Sequence, residues 1–346
     1  MVVVISDTHF TKNNTSTVNN IFVQCLDYCE EIGCKTVIHC GDVFTERVGQ
    51  GLNVLTAFLN VLDEFQNRGI KMIAISGNHD KTDLDGVESY LDVFAHHPSL
   101  QLVREYDSFK INGLNCHFLP YFKENGSYPE RLKKVAENAK DGVNLLFTHI
   151  AVNGVSNNDV VGVTDGVKLN LFNKFDGVFV GHYHNRSKVG RKIFYIGSPR
   201  PKDFGENDEK GFTILKAKAS GFEQEFKRAI FKPFVNHYFE LKNYTITSIE
   251  DKVRSLAKRL DKEHIKLKFQ GTEDELDTMV KNDWGQIGFH VEKISVGLLR
   301  NIELATKQNF TGFNNIEITD SFFDYMEENS IEDENRLFGE KLIKML

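Results

Sequence analysis

Nothing in the sequence approaches the ~18 consecutive apolar residues that suggest a membrane-spanning helix. Residues 1–5 are apolar but too few for a signal peptide, with no basic start and no small-residue cleavage site. Cysteine is sparse. Cys25, Cys29, Cys34, Cys40 and Cys116 make an odd number with no CxxC pair, which argues for reduced thiols in a cytoplasmic protein. Cys25 and Cys29 lie four apart on a predicted amphipathic helix and read as core. Internal repeats and low-complexity tracts are absent. So is a surplus of basic charge: 42 Lys and Arg against 49 Asp and Glu leave a net −7, the reverse of the usual nucleic-acid footprint. Two features soften that objection. Eight acids, with no Lys or Arg among them, fall between Glu317 and Glu334, and carboxylates that hold cations have their local sign inverted.

The 346 residues are enough for two domains, or one large domain with an appendage. Residues 1–149 alternate strand and helix. One helix places Val18, Ile21, Phe22, Cys25, Leu26, Cys29 and Ile32 on one face, and a second does so with Val54, Leu55, Phe58, Leu59, Leu62 and Phe65. This alternation implies right-handed crossovers and a largely parallel core sheet. Short strands follow over 100–119, with Asn112-Gly113 as a hairpin signal, then a polar helix near 129–140 and mostly β structure over 175–231. The overall expectation is an α/β (α+β) fold, with two sheets packed as a sandwich and flanked by helices. Composition shifts at Lys232-Pro233. Residues 232–296 read as a small α/β domain, with helix starts expected at Ser248 and at the capping-box pair Thr272 and Glu275. A linker spans 297–317, and 318–346 reads as two short helices around a turn.

Polar residues cluster where the predicted strands end. Val2–Ile5 ends in Ser6-Asp7-Thr8-His9, and Thr36–His39 leads to Gly41-Asp42. Ile70–Ile75 leads to Gly77-Asn78-His79-Asp80, Asn144–Phe147 to Thr148-His149, and Gly177–Val180 to Gly181-His182-Tyr183-His184. Open α/β sheets place their ligands at such ends. The donors are Asp7, His9, Asp42, Asn78, His149, His182 and His184, all oxygen or imidazole with no thiolate, a set that suits Mn, Fe or Zn. Seven ligands are too many for one ion and about right for two, with an aspartate bridging them; such a pair clamps a phosphoryl group and acidifies water. His79 is left over, placed to protonate a leaving oxygen or to stabilise charge. Asp80 is expected to orient the His79 imidazole. Each motif alone has a plain alternative: Gly41-Asp42 is an ordinary turn signal, and a lone His149 is more often structural than a ligand. The conjunction of five clusters in one order decides for chemistry. Outside it, His96, His97, His117, His237, His264 and His290 read as surface or core residues.

The order D-x-H, GD, GNHD, H, GHxH resembles the calcineurin-like metallophosphoesterases over roughly residues 1–200. The resemblance implies a four-layer sandwich of two mixed sheets flanked by helices. It implies one metal on Asp7, His9, Asp42 and His184, a second on Asp42, Asn78, His149 and His182, and a catalytic His79. Within the superfamily, Gly41-Asp-Val-Phe44, Tyr195-Ile-Gly-Ser-Pro199 and the small α/β domain with a helical tail are similar to the SbcD family of nuclease subunits. That resemblance implies a Mn-dependent double-strand exonuclease and single-strand endonuclease in DNA repair. It also implies a capping domain (232–296) that helps bind DNA, and a tail (318–346) that docks on an SMC-like coiled-coil ATPase. A compact phage-encoded version, working in the host cytoplasm, fits the length. The chain departs from the family at Thr45, where members often carry His, and at Phe10-Thr11, where Leu-Gly is frequent. DNA contacts are expected from loop residues Arg186, Lys188, Arg200 and Lys202. Homodimer pairing is expected through apolar helix faces near Leu52–Phe65 or Tyr90–Phe94. The alternative activity is a phosphoesterase for small phosphodiesters or phosphoproteins. A non-enzymatic scaffold predicts gaps in the ligand set, and there are none.

Overall fold

The computed structural model describes residues 1–157, 160–162, 166–280 and 284–295. The chain divides into two compact units, Met1–Phe231 and Lys232–Leu346. The first unit begins β1 (Val2–Ile5), α1 (Thr15–Glu31), β2 (Thr36–Cys40), α2 (Leu52–Asn67), β3 (Lys71–Ile75) and β4 (Leu100–Val103). It continues β5 (Asp107–Ile111), β6 (Leu114–Leu119), α3 (Tyr128–Glu137), β7 (Asn144–His149) and the small ribbon β8 (Ser156–Asn157) with β9 (Val160–Gly162). It closes with β10 (Gly177–Gly181), β11 (Ser187–Val189), β12 (Ile193–Tyr195), β13 (Gly211–Lys218) and β14 (Gly221–Arg228).

Two six-stranded mixed sheets result, ordered β14-β13-β1-β2-β3-β4 and β11-β12-β10-β7-β6-β5. Strands β1 to β4 run parallel, as do β12, β10, β7 and β6, while the outer hairpin strands are antiparallel. Side-chain alternation builds the layers. Val2 and Val4 of β1, Ile38 and Cys40 of β2, and Ile73 and Ile75 of β3 face the second sheet, meeting Leu145 and Phe147 of β7 and Phe179 of β10. Val3, Ile5, Val37, Met72 and Ala74 face the other way, against Phe22 and Leu26 of α1 and Phe58 and Leu62 of α2. On the far side, Leu146, Val178 and Val180 pack with Leu132 and Val135 of α3. The order is helices, sheet, sheet, helix: the expected four layers. Each fully buried large apolar side chain contributes about 1.5–3 kcal/mol over its exposed state. All five cysteines are buried and unpaired. Asn112 and Gly113 both have positive φ and join β5 to β6 directly, which only such a pair does readily.

Strand β2 carries a histidine into this interior. His39 on β2 is fully buried, with Nε2 3.0 Å from Thr8 Oγ1 and Nδ1 without a partner. Burial above all, then the nearby His149, depresses its pKa from 6.5 to about 3, against the pull of Asp42. Below pH 6.5 the unfolded chain takes up a proton that the folded chain refuses. The contribution of His39 is thus complete above pH 6.5 and is lost at about 1.4 kcal/mol per pH unit down to about 3. Urea unfolding of the metal-free protein between pH 7 and 5 is expected to show about 2 kcal/mol more loss in the native chain than in His39→Gln. Parallel pH slopes would exonerate His39.

The second unit contains β15 (Phe234–Glu240), α4 (Ile246–Ala257), β16 (His264–Gly271), α5 (Glu273–Val280) and β17 (His290–Ser295). The strands form one parallel sheet ordered β15-β16-β17. Ile265, Leu267 and Phe269 of β16 alternate inward against Ile249 and Val253 of α4 and Leu276 of α5. The α4 cap differs from expectation. Thr245, not Ser248, is the N-cap, and its hydroxyl accepts from the Ser248 amide at 3.2 Å. The α5 box is as expected, with the Thr272 N–H donating to Glu275 Oε2 at 2.8 Å and the Glu275 N–H to Thr272 Oγ1 at 3.4 Å. The expected linker and tail helices lie outside the described residues.

Candidate active site

Parallel pairing brings the carboxyl ends of β1, β2 and β3 side by side in one sheet, and those of β7 and β10 in the other. The loops beyond them continue the pairing. The Asp7 N–H donates to Gly41 O at 3.0 Å, the His9 N–H to Asp42 O at 3.1 Å and the Phe10 N–H to Val43 O at 2.8 Å. Asp7, His9, Asp42 and His182 all have positive φ, at 53°, 51°, 57° and 100°. They are four of the five non-glycine residues so placed among the described residues, the fifth being Asn112 in its turn. A conformation costing about 1–3 kcal/mol per residue persists only where the surroundings impose it, and such strain gathers at functional sites. Asn14 braces this loop, its Nδ2 donating to His9 O at 2.8 Å.

All seven proposed donors meet. Asp42 Oδ2 lies 3.5 Å from His9 Nε2 and 3.4 Å from His149 Nε2. Asp7 Oδ1 is 3.9 Å from His9 Nε2, and His9 Nε2 is 3.1 Å from His184 Nε2. Asn78 Oδ1 is 3.1 Å from His149 Nε2 and 3.0 Å from His182 Nδ1. The ligand atoms of Asp7, His9 and His184 all fall within 4.8 Å of one another, as do those of Asp7, Asp42 and His149. Asp7, His9, Asp42 and His149 are buried.

The hydrogen bonds test whether cations fit. His149 Nδ1 lies 2.8 Å from Cys40 O, a carbonyl that only accepts, so Nδ1 carries the proton. The Nε2 lone pair then points at Asp42 Oδ2 and Asn78 Oδ1, which are also acceptors. Three lone pairs converge on one space that requires a positive charge. In the bare protein a proton fills it: burial works against the imidazolium, but Asp42 and Asp7 outweigh it and push His149 up to about 9. Asp42 is held well below the carboxylate range, burial opposing and His149 prevailing. His182 goes the other way, to about 3, through burial and the His149 charge. His9 Nε2 and His184 Nε2, 3.1 Å apart, make a second meeting of ring nitrogens, with Asp7 and Asp42 beside His9. The oxygen and imidazole set fits two divalent cations.

Close backbone approach makes the pocket possible. A Cβ on Gly77 would collide with the Asp42 carboxylate and lie 2.5 Å from the Asp42 amide. Gly77→Ala is expected to weaken cation binding and to cost about 1–3 kcal/mol through overpacking. Calorimetric Mn titration and a thermal scan check both, and unaltered binding would show that the loop yields.

His79 stands beside the donors, its ring centroid 5.1 Å from that of His9. Its N–H donates to Asp42 Oδ1 at 2.9 Å, and its Nδ1 donates to Thr45 O at 2.7 Å. Nε2 has no protein partner among the described residues. The Thr45 bond uses backbone, so the departure from His at that position leaves it intact. The expectation that Asp80 orients the His79 ring fails. Asp80 is fully buried and accepts from the amides of Asp42 (2.8 Å), Phe44 (2.9 Å) and Gly77 (2.8 Å). It fastens the β2 loop to the β3 loop. Burial first, then Asp42, raises its pKa to about 7, against the amides.

The four expected DNA contacts divide. Lys188 lies within β11, not in a loop, with Nζ 5.1 Å from the Phe194 ring centroid. Arg186 is tied down, donating to Ile196 O at 3.2 Å and Thr213 Oγ1 at 2.6 Å and stacking on Phe226 at 4.3 Å. Arg200 is 9% exposed and donates to Pro201 O at 3.0 Å. Lys202 is half-buried; desolvation lowers its pKa, while the carboxylates of Asp7, Glu206 and Asp42 pull it back up. Two contributors escaped the sequence reading. Glu206 lies 2.8 Å from His184 Nδ1, and a buried Lys81 donates to Gly86 O at 2.8 Å and Tyr121 O at 2.7 Å, setting the tyrosine whose ring packs on His182. Phe204-Gly205-Glu206, an acid in a glycine turn soon after Gly197-Ser198-Pro199, was the available signal for the first.

A fold of this kind with this donor set defines a metallophosphoesterase. Residues 1–220 match the family model of the calcineurin-like phosphoesterase superfamily domain, and the chain belongs to that superfamily. It is a metal-dependent hydrolase of phosphoesters that uses divalent cations. Among curated proteins it is similar to the putative phosphoesterase 244L of Invertebrate iridescent virus 6, at 24% identity over 217 residues, covering 62% of this chain and 75% of that one. It is also similar to exonuclease subunit 1 of Enterobacteria phage T4, at 23% over 255 residues, covering 69% and 71%. The SbcD component of nuclease SbcCD from Staphylococcus epidermidis is 27% identical over 170 residues, covering 42% of this chain and 46% of its own length. No helix among the described residues is long and apolar enough to cross a membrane.

Proposed function

We propose that this phosphoesterase is a Mn-dependent DNA nuclease of the SbcD type, acting as a double-strand exonuclease and single-strand endonuclease in DNA repair and recombination. The observation that carries the reading is the convergence of seven oxygen and nitrogen donors beside an imidazole with a free Nε2. The two relatives named as nucleases support DNA as the substrate. The absence of thiolate donors supports Mn. Asp7, His9, Asp42 and His184 would hold one cation, and Asp42, Asn78, His149 and His182 the other. When bound, the pair would supply charge neutralisation at the phosphoryl oxygens and a water acidic enough to attack at neutral pH. The protein supplies the rest. Asp42 is held in place by the His79 amide, and Thr45 O fixes the His79 ring with Nδ1 protonated. Nε2 is left to give a proton to the leaving oxygen.

Lys202 is the DNA-contact candidate that lies within electrostatic reach of Asp7 and Asp42. Lys202→Ala is expected to weaken DNA binding and to reduce the slope of log affinity against log salt by about 1; an unchanged slope would remove it from the phosphate contacts. The small unit as a DNA-binding cap, and residues 318–346 as the docking segment for a coiled-coil ATPase, belong to the same reading, as does a cytoplasmic setting. Pairing of two copies is supported by exposed Val48 (97%), Leu52 (81%) and Val93 (68%) on and beside α2.

A second reading, hydrolysis of small phosphodiesters or phosphoproteins, is favoured by the net charge of −7. One assay separates the two. With Mn, the protein is expected to degrade linear duplex DNA and cut single-stranded circles. Hydrolysis of bis(p-nitrophenyl) phosphate alone, with DNA untouched, would support the second.

A further inference from the structure

We infer that Glu206, locked in place by Lys210, is the positioning residue for His184: it holds the imidazole with Nδ1 protonated and Nε2 free for a cation. His184 Nδ1 lies 2.8 Å from Glu206 Oε1. A carboxylate there accepts, so Nδ1 carries the hydrogen and the Nε2 lone pair faces His9 Nε2, 3.1 Å away. Carboxylate partners of this kind orient a ligand ring and strengthen its donor nitrogen.

The carboxylate cannot swing away. Its other oxygen, Oε2, accepts from Lys210 Nζ at 2.6 Å. Lys210 is fully buried and Glu206 nearly so, at 0% and 4% side-chain exposure. The same ammonium donates to His184 O at 2.6 Å and Ser198 Oγ at 3.1 Å. One lysine therefore grips both the backbone and, through Glu206, the ring of His184. Ser198, from the Gly197-Ser198-Pro199 stretch, completes the cage by donating to Arg200 O at 2.8 Å. Burying an ion pair costs desolvation and rarely adds net stability, so its closeness to one candidate ligand and its full satisfaction point to placement of that ligand. His149 is set differently, by Cys40 O at 2.8 Å.

The inference rests on His184 being a ligand, and the experiment separates the two failures. Mn is titrated into the native full-length chain and Glu206→Gln by calorimetry, with a thermal scan of both. Glutamine keeps the shape but drops the charge and can present an N–H to Nδ1, which permits the wrong tautomer. One of two Mn ions is expected to bind about 10- to 100-fold more weakly and the other unchanged, and the Mn concentration for half-maximal hydrolysis is expected to rise by the same factor. A lowered thermal midpoint with both affinities intact would make Glu206 mere loop support and overturn the inference. A native chain that binds fewer than two ions would overturn the inference and the site reading together. A variant that does not fold leaves the native protein to decide. In the Zn-loaded chain, ¹⁵N-histidine spectra should show His184 protonated at Nδ1 and not at Nε2; the opposite tautomer refutes the assignment.

Discussion

DNA turnover falls roughly 10²- to 10⁴-fold when His79 becomes alanine, with both cations still bound: that is the expected result. The geometry requires both halves. His79 makes no ring hydrogen bond to the donor cluster, because Nδ1 is committed to Thr45 O and Nε2 has no partner among the described residues. Its one service to the cluster is its backbone N–H, which donates to Asp42 Oδ1 and survives in alanine. The loss should therefore lie in kcat, with Mn affinity within about twofold. Leaving-group chemistry sharpens the test. A deoxyribose alkoxide needs a proton to depart, whereas p-nitrophenolate does not. His79→Ala should lose much less on bis(p-nitrophenyl) phosphate than on DNA. Equal losses would mean that the imidazole stabilises charge and is not an acid, and full activity on DNA would remove it from the mechanism.

The second large effect is expected from Asp42→Asn. Its Oδ2 sits between His9 Nε2 at 3.5 Å and His149 Nε2 at 3.4 Å, so it belongs to both halves of the cluster. Asparagine matches its volume but brings no charge. Affinity at both positions should fall by more than the ~10–100-fold typical of removing an outer partner, and hydrolysis should fall to background. A native chain in Mn at 100 times its Kd gains about 2.7 kcal/mol of stability. The variant should show no Mn-dependent rise in thermal midpoint, and a rise matching that of the native chain would contradict a shared aspartate.

Much of this was legible before any coordinates. The apolar runs before Asp7, Asp42, Asn78, His149 and His182 are strands because nothing in them interrupts a buried β pattern, and the polar break marks where each sheet ends. That is why β1 (Val2–Ile5) and the site clusters could be placed from the sequence. Other features depend on partners that the sequence does not pair. Asp80 reads as a companion of its neighbour His79, yet its carboxylate serves amides of the β2 loop. Glu206 was not singled out in the sequence, and the fold sets it against His184, 22 residues away. Strand β11 was missed because Ser187, Lys188 and Val189 form one short edge. Arg186 and Arg200 looked like solvent-facing cations, yet the fold spends them on carbonyls. At α4 the expected cap, Ser248, lies inside the helix, and Thr245 takes the role because its hydroxyl accepts from the Ser248 amide.

Electron paramagnetic resonance of the Mn-loaded chain is the most direct measurement. Two ions per chain, about 3.5–4 Å apart, should give the exchange-coupled spectrum of a dinuclear centre as the second equivalent binds. A six-line mononuclear spectrum that persists unchanged to saturation would mean that Asp42, His149 and His184 do not enclose a pair.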